Sequence, residues 1–164
     1  MILVDSNLLL YANNADAPQY RSAREWLESR FLGNDRIGLP WQVLLSYVRL
    51  ISNPRVARNY LPISDAWAQV EEWLDHPLVW IPEPTGSHRS VLGRLLRESG
   101  AHGNLVPDAH LAALAVEHGL TVCSADSDFA KFPGLKWLNP LHAPPPEARE
   151  RSAAYGRPTK RRSR

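Results

Sequence analysis

Three aspartates stand where apolar runs end or helices begin. Asp5 closes the run Ile2-Leu3-Val4, Asp126 follows Thr121-Val122-Cys123-Ser124, and Asp108 comes directly after Pro107 at the head of an Ala/Leu-rich stretch. Taken singly, each is more readily a helix cap than a reactive group, because aspartate accepts from free N–H groups and suits the positive end of a helix. Asp5 fits that reading least well, since it ends an apolar strand that should be central and buried. Jointly the three mean more. Carboxylates gathered on one edge repel and raise each other's pKa, and a divalent cation makes such a cluster tolerable. The oxygen donors are Asp5, Asp108 and Asp126, with Asp128 as a fourth candidate. No His-x-His pair or cysteine set accompanies them. Hard oxygens suit Mg²⁺ or Mn²⁺ over Zn²⁺. Such an ion activates water and orients a phosphate for in-line displacement, which is the chemistry of phosphodiester hydrolysis.

These side chains are about 100 positions apart, so the fold must bring them together. Residues 2–5 read as a buried strand, and Asp5-Ser6-Asn7 offers cap chemistry for a following helix. Residues 17–31 have an amphipathic helical pattern through Ala23, Trp26, Leu27 and Phe31. Residues 37–39 form a short strand. Pro40, as a first helical residue, opens a helix to about Ile51 that Asn53-Pro54 stops. Ser64 caps a helix over 66–74, residues 79–81 are strand-like, and Ser87 starts a helix ending at Gly100. Residues 106–118 carry proline at the start and Gly119 after the end, a strong helix signal. Residues 120–124 and 136–138 are strands, with a short helical piece from Asp126 between them. Strands alternating with helices predict an α/β fold in three layers, α/β/α, around a mostly parallel sheet. In such sheets ligands bind at the carboxyl ends of the strands.

Composition bounds the rest. The chain has 164 residues, 44% apolar and 22% charged, which fits one globular domain and excludes a disordered or collagenous chain. No signal peptide or membrane span is visible, and the single cysteine, Cys123, excludes a disulfide framework, so the expectation is a soluble cytoplasmic protein. The net charge of +2 conceals an asymmetry. Residues 143–164 hold seven basic and two acidic side chains, or +5, leaving twelve basic and fifteen acidic, or −3, in residues 1–142. The expected organisation is a domain over 1–142 and a disordered Pro/Arg-rich basic tail over 143–164. That tail is either a phosphate-attracting arm or a dispensable end.

Three segments, taken with their order, resemble the PIN-domain family, specifically the VapC-type toxins of prokaryotic toxin–antitoxin pairs. They are residues 2–12 (ILVDSNLLLYA), residues 103–112 (GNLVPDAHLA), and residues 124–129 (SADSDF) with residues 132–135 (FPGL). The resemblance spans about residues 1–141. It implies a PIN-like fold, an Mg²⁺- or Mn²⁺-dependent endoribonuclease acting on structured RNA, a homodimer, and inhibition by a VapB-type antitoxin. It assigns the catalytic and metal-holding acids to Asp5, Asp108 and Asp126, with Asp128 as the added candidate. The family's usual glutamate in the helix after the second strand is missing. The stretch reads Pro40-Trp41-Gln42-Val43-Leu44-Leu45-Ser46 here, with Ser46 in the glutamate's place.

Auxiliary candidates are Ser6, Asn104 and Ser46, which suit a water or phosphate; turn and capping roles fit Ser6 and Asn104 as well. His110 lies about 200° around its helix from Asp108 and reads as a surface or dimer-face histidine rather than a general base. Cys123 reads as a buried small hydrophobe. The six tryptophans read mostly as core or interface; Trp41 is placed in the core in preference to stacking a base. Arg49, Arg55 and Arg58 could line an RNA path, with a solvated loop favoured. Two rival functions remain. One is an inactive PIN module that binds RNA or antitoxin only. The other is a haloacid-dehalogenase-type phosphatase, which needs a second aspartate where Asn7 stands.

Overall fold

The computed structural model describes residues 1–142. Its elements run β1 (Ile2–Val4), α1 (Ser6–Asn13), α2 (Tyr20–Phe31), β2 (Ile37–Gly38), α3 (Trp41–Ile51), α4 (Ile63–Leu74), β3 (Val79–Trp80), α5 (His88–Ser99), α6 (Leu105–His118), β4 (Thr121–Cys123) and β5 (Lys136–Leu138), with a short 3-10 helix over Ser127–Lys131 before β5. The sheet order is β3-β2-β1-β4-β5, and every neighbouring pair is parallel. This is the expected three-layer α/β/α architecture. No helix among the described residues is long and apolar enough to cross a membrane. The tail expected over 143–164 lies outside the described residues.

β1 is the middle strand, with Leu3 facing Gly38 on one side and Val122 on the other. A strand buried on both faces needs an unbroken apolar run, and Ile2, Leu3 and Val4 are all buried. Gly38 is fixed by close approach: a Cβ there would meet Pro82 Cγ at 3.2 Å and the Ile2 carbonyl at 3.3 Å. α1 packs on α2 and α3, α3 on α4, and α5 on α6. In α6, Leu105, Ala109, Leu111, Ala112, Ala113, Leu114 and Ala115 are all buried. Burial on nearly every side of a helix explains its Ala/Leu composition. Gly119 ends it in the left-handed region at φ 65°, as expected of a C-terminal glycine.

Three starts differ from expectation. α2 begins at Tyr20 rather than 17, because Ala17 N–H bonds the Asn14 carbonyl and Tyr20 N–H the Ala17 carbonyl in a turn around Pro18. Proline supplies no N–H and disfavours helix in the residue before it. α4 begins at Ile63 with Pro62 as cap, its carbonyl accepting from Asp65 and Ala66 N–H. Ser64 therefore lies inside the helix, donating to Asp65 Oδ1 at 3.1 Å, and caps nothing. Pro40 likewise caps α3 instead of being its first residue, extended at ψ 154°.

Candidate active site

The carboxyl edge of the sheet carries a hydrogen-bonded knot centred on Ser124. Asp5 is the N-cap of α1: its Oδ1 accepts from Ser6 N–H at 2.6 Å and Ser6 Oγ at 3.3 Å. Its Oδ2 accepts from Ser124 Oγ at 2.7 Å. That same hydroxyl, completely buried, accepts from Asn7 Nδ2 at 2.9 Å and from Asp126 N–H at 3.0 Å. Asn7 Oδ1 accepts from Ala125 N–H at 3.3 Å. Parallel pairing puts the ends of β1 and β4 side by side, since Val4 lies opposite Cys123 and Asp5 N–H bonds the Cys123 carbonyl. The knot therefore joins residues 117 to 119 positions apart.

Asp5 and Asp126 both cap helices, although capping was expected to suit Asp5 least. Asp126 caps the 3-10 helix by accepting from Asp128 N–H at 2.9 Å. Asp108 caps nothing: it is in the first turn of α6, whose N-cap is Asn104, and Asn104 makes no side-chain capping bond. Burial pushes the Asp108 carboxyl up to about 6, with the charges of Asp5, Asp126 and Asp128 adding to it. Asp5 is also raised, by burial first, against the lowering effect of its Ser124 and Ser6 hydrogen bonds, with Asp126 adding a small push upward. Asp128 pairs with Lys131 at 2.8 Å on the surface.

The charges of Asp5, Asp126 and Asp128 are thus felt at Asp108. Among the described residues, however, no three acidic, histidine or cysteine side chains form a ready-made ion cage. Carboxylate donors of this kind suit a hard divalent ion that keeps most of its water. They do not fit an ion enclosed by protein.

The auxiliary candidates divide. Ser6 serves Asp5 directly. Ser46 lies four residues after Gln42, on the same face of α3, and Gln42 Nε2 donates to the Pro107 carbonyl at 3.0 Å. That bond turns the Gln42–Ser46 face toward the start of α6, next to Asp108. Cys123 is buried as expected.

Two expectations are overturned. His110 is half-buried rather than on the surface. Its Nδ1 lies 2.9 Å from His88 Nε2, and His88 Nδ1 lies 2.9 Å from Glu117 Oε2. Glu117, almost wholly enclosed, also accepts from Thr85 Oγ1 at 3.0 Å. Burial and His88 lower the His110 pKa, so this chain of side chains fastens α5 to α6. Isolated histidine positions carried no signal of that pairing; only the antiparallel packing of α5 on α6 creates it. Trp41 is 43% exposed and is not core. Trp73 is core, against Tyr47, with ring centroids 4.7 Å apart. Arg49, Arg55 and Arg58 are exposed. The knot partners Asn7 and Ser124 were missed as site residues. Their polarity beside apolar runs was the available signal.

Comparison with known proteins agrees with this fold. The PIN-domain family model matches residues 2–135. Ribonuclease VapC37 of Mycobacterium tuberculosis is 42% identical over 140 residues, covering 85% of this chain and 97% of that protein. Solved structures share the fold at low identity. VapBC2 from Rickettsia felis, bound to a promoter DNA fragment, superposes with TM-score 0.62 at 20% identity, covering 85% of this chain and 98% of that one. VapC20 of Mycobacterium tuberculosis, a sarcin–ricin loop cleaving toxin, gives TM-score 0.60 at 19% identity, covering 83% and 99%. This chain belongs to the PIN-domain family, in its VapC-type branch. That membership removes the phosphatase rival, and Asn7, standing where that chemistry needs an aspartate, is committed to Ser124 and Ala125.

Proposed function

We propose that the protein is an Mg²⁺- or Mn²⁺-dependent endoribonuclease of VapC type that hydrolyses phosphodiester bonds of structured RNA. Asp5, Asp108 and Asp126 would hold the ion, and Asp128 would add charge beside them. One observation carries the reading: the chain is 42% identical over 140 residues to a VapC ribonuclease, and at the carboxyl edge of the sheet Ser124 ties Asp5 to the Asp126 amide. An edge that keeps its negative charges crowded is built to meet positive charge. When bound, the divalent cation supplies a Lewis acid that lowers the pKa of an attacking water. The chain's own part is orientation. Ser124 and Ser6 fix the Asp5 carboxylate, and the 3-10 cap fixes Asp126. In-line attack by water leaves a 5′-phosphate and a 3′-hydroxyl, without using the ribose 2′-hydroxyl as nucleophile.

The solved relatives that are toxin–antitoxin complexes support a VapB-type antitoxin as the inhibiting partner. A homodimer and a cytoplasmic location complete the reading. A second reading is favoured by Ser46: without the family's glutamate, the chain would bind RNA or antitoxin and cut nothing.

One assay separates the two. Antitoxin-free protein is incubated with total RNA and Mg²⁺ or Mn²⁺, beside Asp126→Asn and an EDTA control. The nuclease reading expects cleavage that both controls abolish. Cleavage surviving either control refutes the metal chemistry. RNA bound but never cut selects the binding module.

A further inference from the structure

An exposed tryptophan at the edge where the carboxylates gather calls for a partner. In the order β3-β2-β1-β4-β5, Asp5 follows β1, Asp126 follows β4 and Trp41 follows β2, only three residues past Gly38. All three strands are parallel, so these three positions share one edge. β2 and β4 lie on opposite sides of β1, so the segments that lead to Trp41 and to Asp126 leave the sheet on either side of Asp5. The neighbouring residue, Gln42, is tied to the Pro107 carbonyl, so the start of α3 is held against the start of α6 beside Asp108. The Trp41–Leu45 stripe runs next to the Gln42–Ser46 stripe, turned from it by about 100°.

This edge has a difficulty with its own substrate. Crowded carboxylates repel phosphates, and the charge on residues 1–142 is net negative. A contact indifferent to charge is needed close by, and stacking of a base on an aromatic face is one. We infer that Trp41 is a stacking platform for an unpaired RNA base next to the scissile phosphate. The inference rests on the ribonuclease reading and adds to it a subsite, with a requirement for a single-stranded nucleotide at one position.

The alternative occupant of this face is a second copy of the chain. Trp41, Leu45 and Val106 are 43%, 57% and 44% exposed. Together they offer on the order of 300 Å², against the roughly 800 Å² per partner of a standard interface. The patch suits one base better than a protein.

The test uses the full chain carrying Asp126→Asn, so that binding is read without cutting. The probe is a short poly(A) oligoribonucleotide, intact or with one abasic nucleotide walked along it, and affinity is read by fluorescence anisotropy. We expect Trp41→Ala to weaken binding of the intact probe roughly 5- to 100-fold, with Trp41→Phe recovering most of it. At one position the abasic probe should bind the Trp41 protein as weakly as the intact probe binds Trp41→Ala, and Trp41→Ala should not notice the missing base. Thermal melting checks that the variants fold. Equal binding by Trp41→Ala and its parent overturns the inference. So does an abasic penalty that persists in Trp41→Ala, or loss of binding together with a shift from dimer to monomer on size exclusion, which makes the face a contact between copies. Failure of the wild-type chain to cut total RNA sinks the nuclease reading alone, because these binding comparisons stand apart from it.

Discussion

Ser124 Oγ does more than any other polar atom described: it donates to Asp5 and accepts from Asn7 and the Asp126 amide. Ser124→Ala leaves those three groups without their buried partner, which costs about 1–3 kcal/mol by the usual penalty for unpaired polar groups. We expect a lower denaturant midpoint and a larger proportional loss of RNA cleavage, because Asp5 loses its orientation. Activity equal to wild type would remove Ser124 from the site. Asp108 makes a prediction in pH. Its folded pKa of about 6 exceeds the ordinary carboxylate value of 3.8, by burial first and neighbouring charge second. Between those values the folded chain holds the proton more tightly than the unfolded one, so this residue's contribution to stability falls as pH rises through roughly 4 to 6. Asp108→Asn should therefore stabilise metal-free protein at pH 7 by on the order of 1 kcal/mol, read as a higher melting temperature, and do nothing at pH 3.5. A gain equal at both values would show that charge is not the cause.

At the scale of elements, α3 holds the most informative vacancy in side-chain chemistry. Ser46 has the Gln42 face but no charge. Ser46→Glu places a carboxylate beside Asp108, and we expect Mn²⁺ affinity to rise several-fold, on the order of 1 kcal/mol, by calorimetric titration. An unchanged affinity would mean that this face of α3 does not reach the ion. Much of the element order was legible in sequence. Proline before and glycine after bracket α6, and the apolar run of β1 reads as a buried strand because it is one. The misread starts share a cause: Pro18, Pro40 and Pro62 each shift a helix start that side-chain patterning alone puts elsewhere. At the site, the sequence names Asp5, Asp108 and Asp126 as the candidate acids, and the structure ties Asp5 and Asp126 to one another through Ser124. Asn7, Ser124 and the His110–His88–Glu117 chain were not legible, since each depends on partners that only packing supplies. Trp41 was misjudged because a tryptophan at helical spacing carries no mark of which face meets solvent.

At the scale of the whole molecule, charge is divided between a body of −3 and residues 143–164 of +5. If the basic end is an arm for phosphates, deleting 143–164 should weaken RNA binding and flatten its dependence on salt, since fewer counterions are released. Filter binding across a series of KCl concentrations measures the slope. An unchanged slope would make the end dispensable. Trp41 should be insensitive to the same salt series, because stacking displaces few ions.

The knot that ties Asp5 to Ser124 spans 119 positions. During synthesis the first half of the centre emerges at once, while its other half is among the last parts of the domain to appear. A chain that stops before Ser124 lacks the hydroxyl that orients the Asp5 carboxylate.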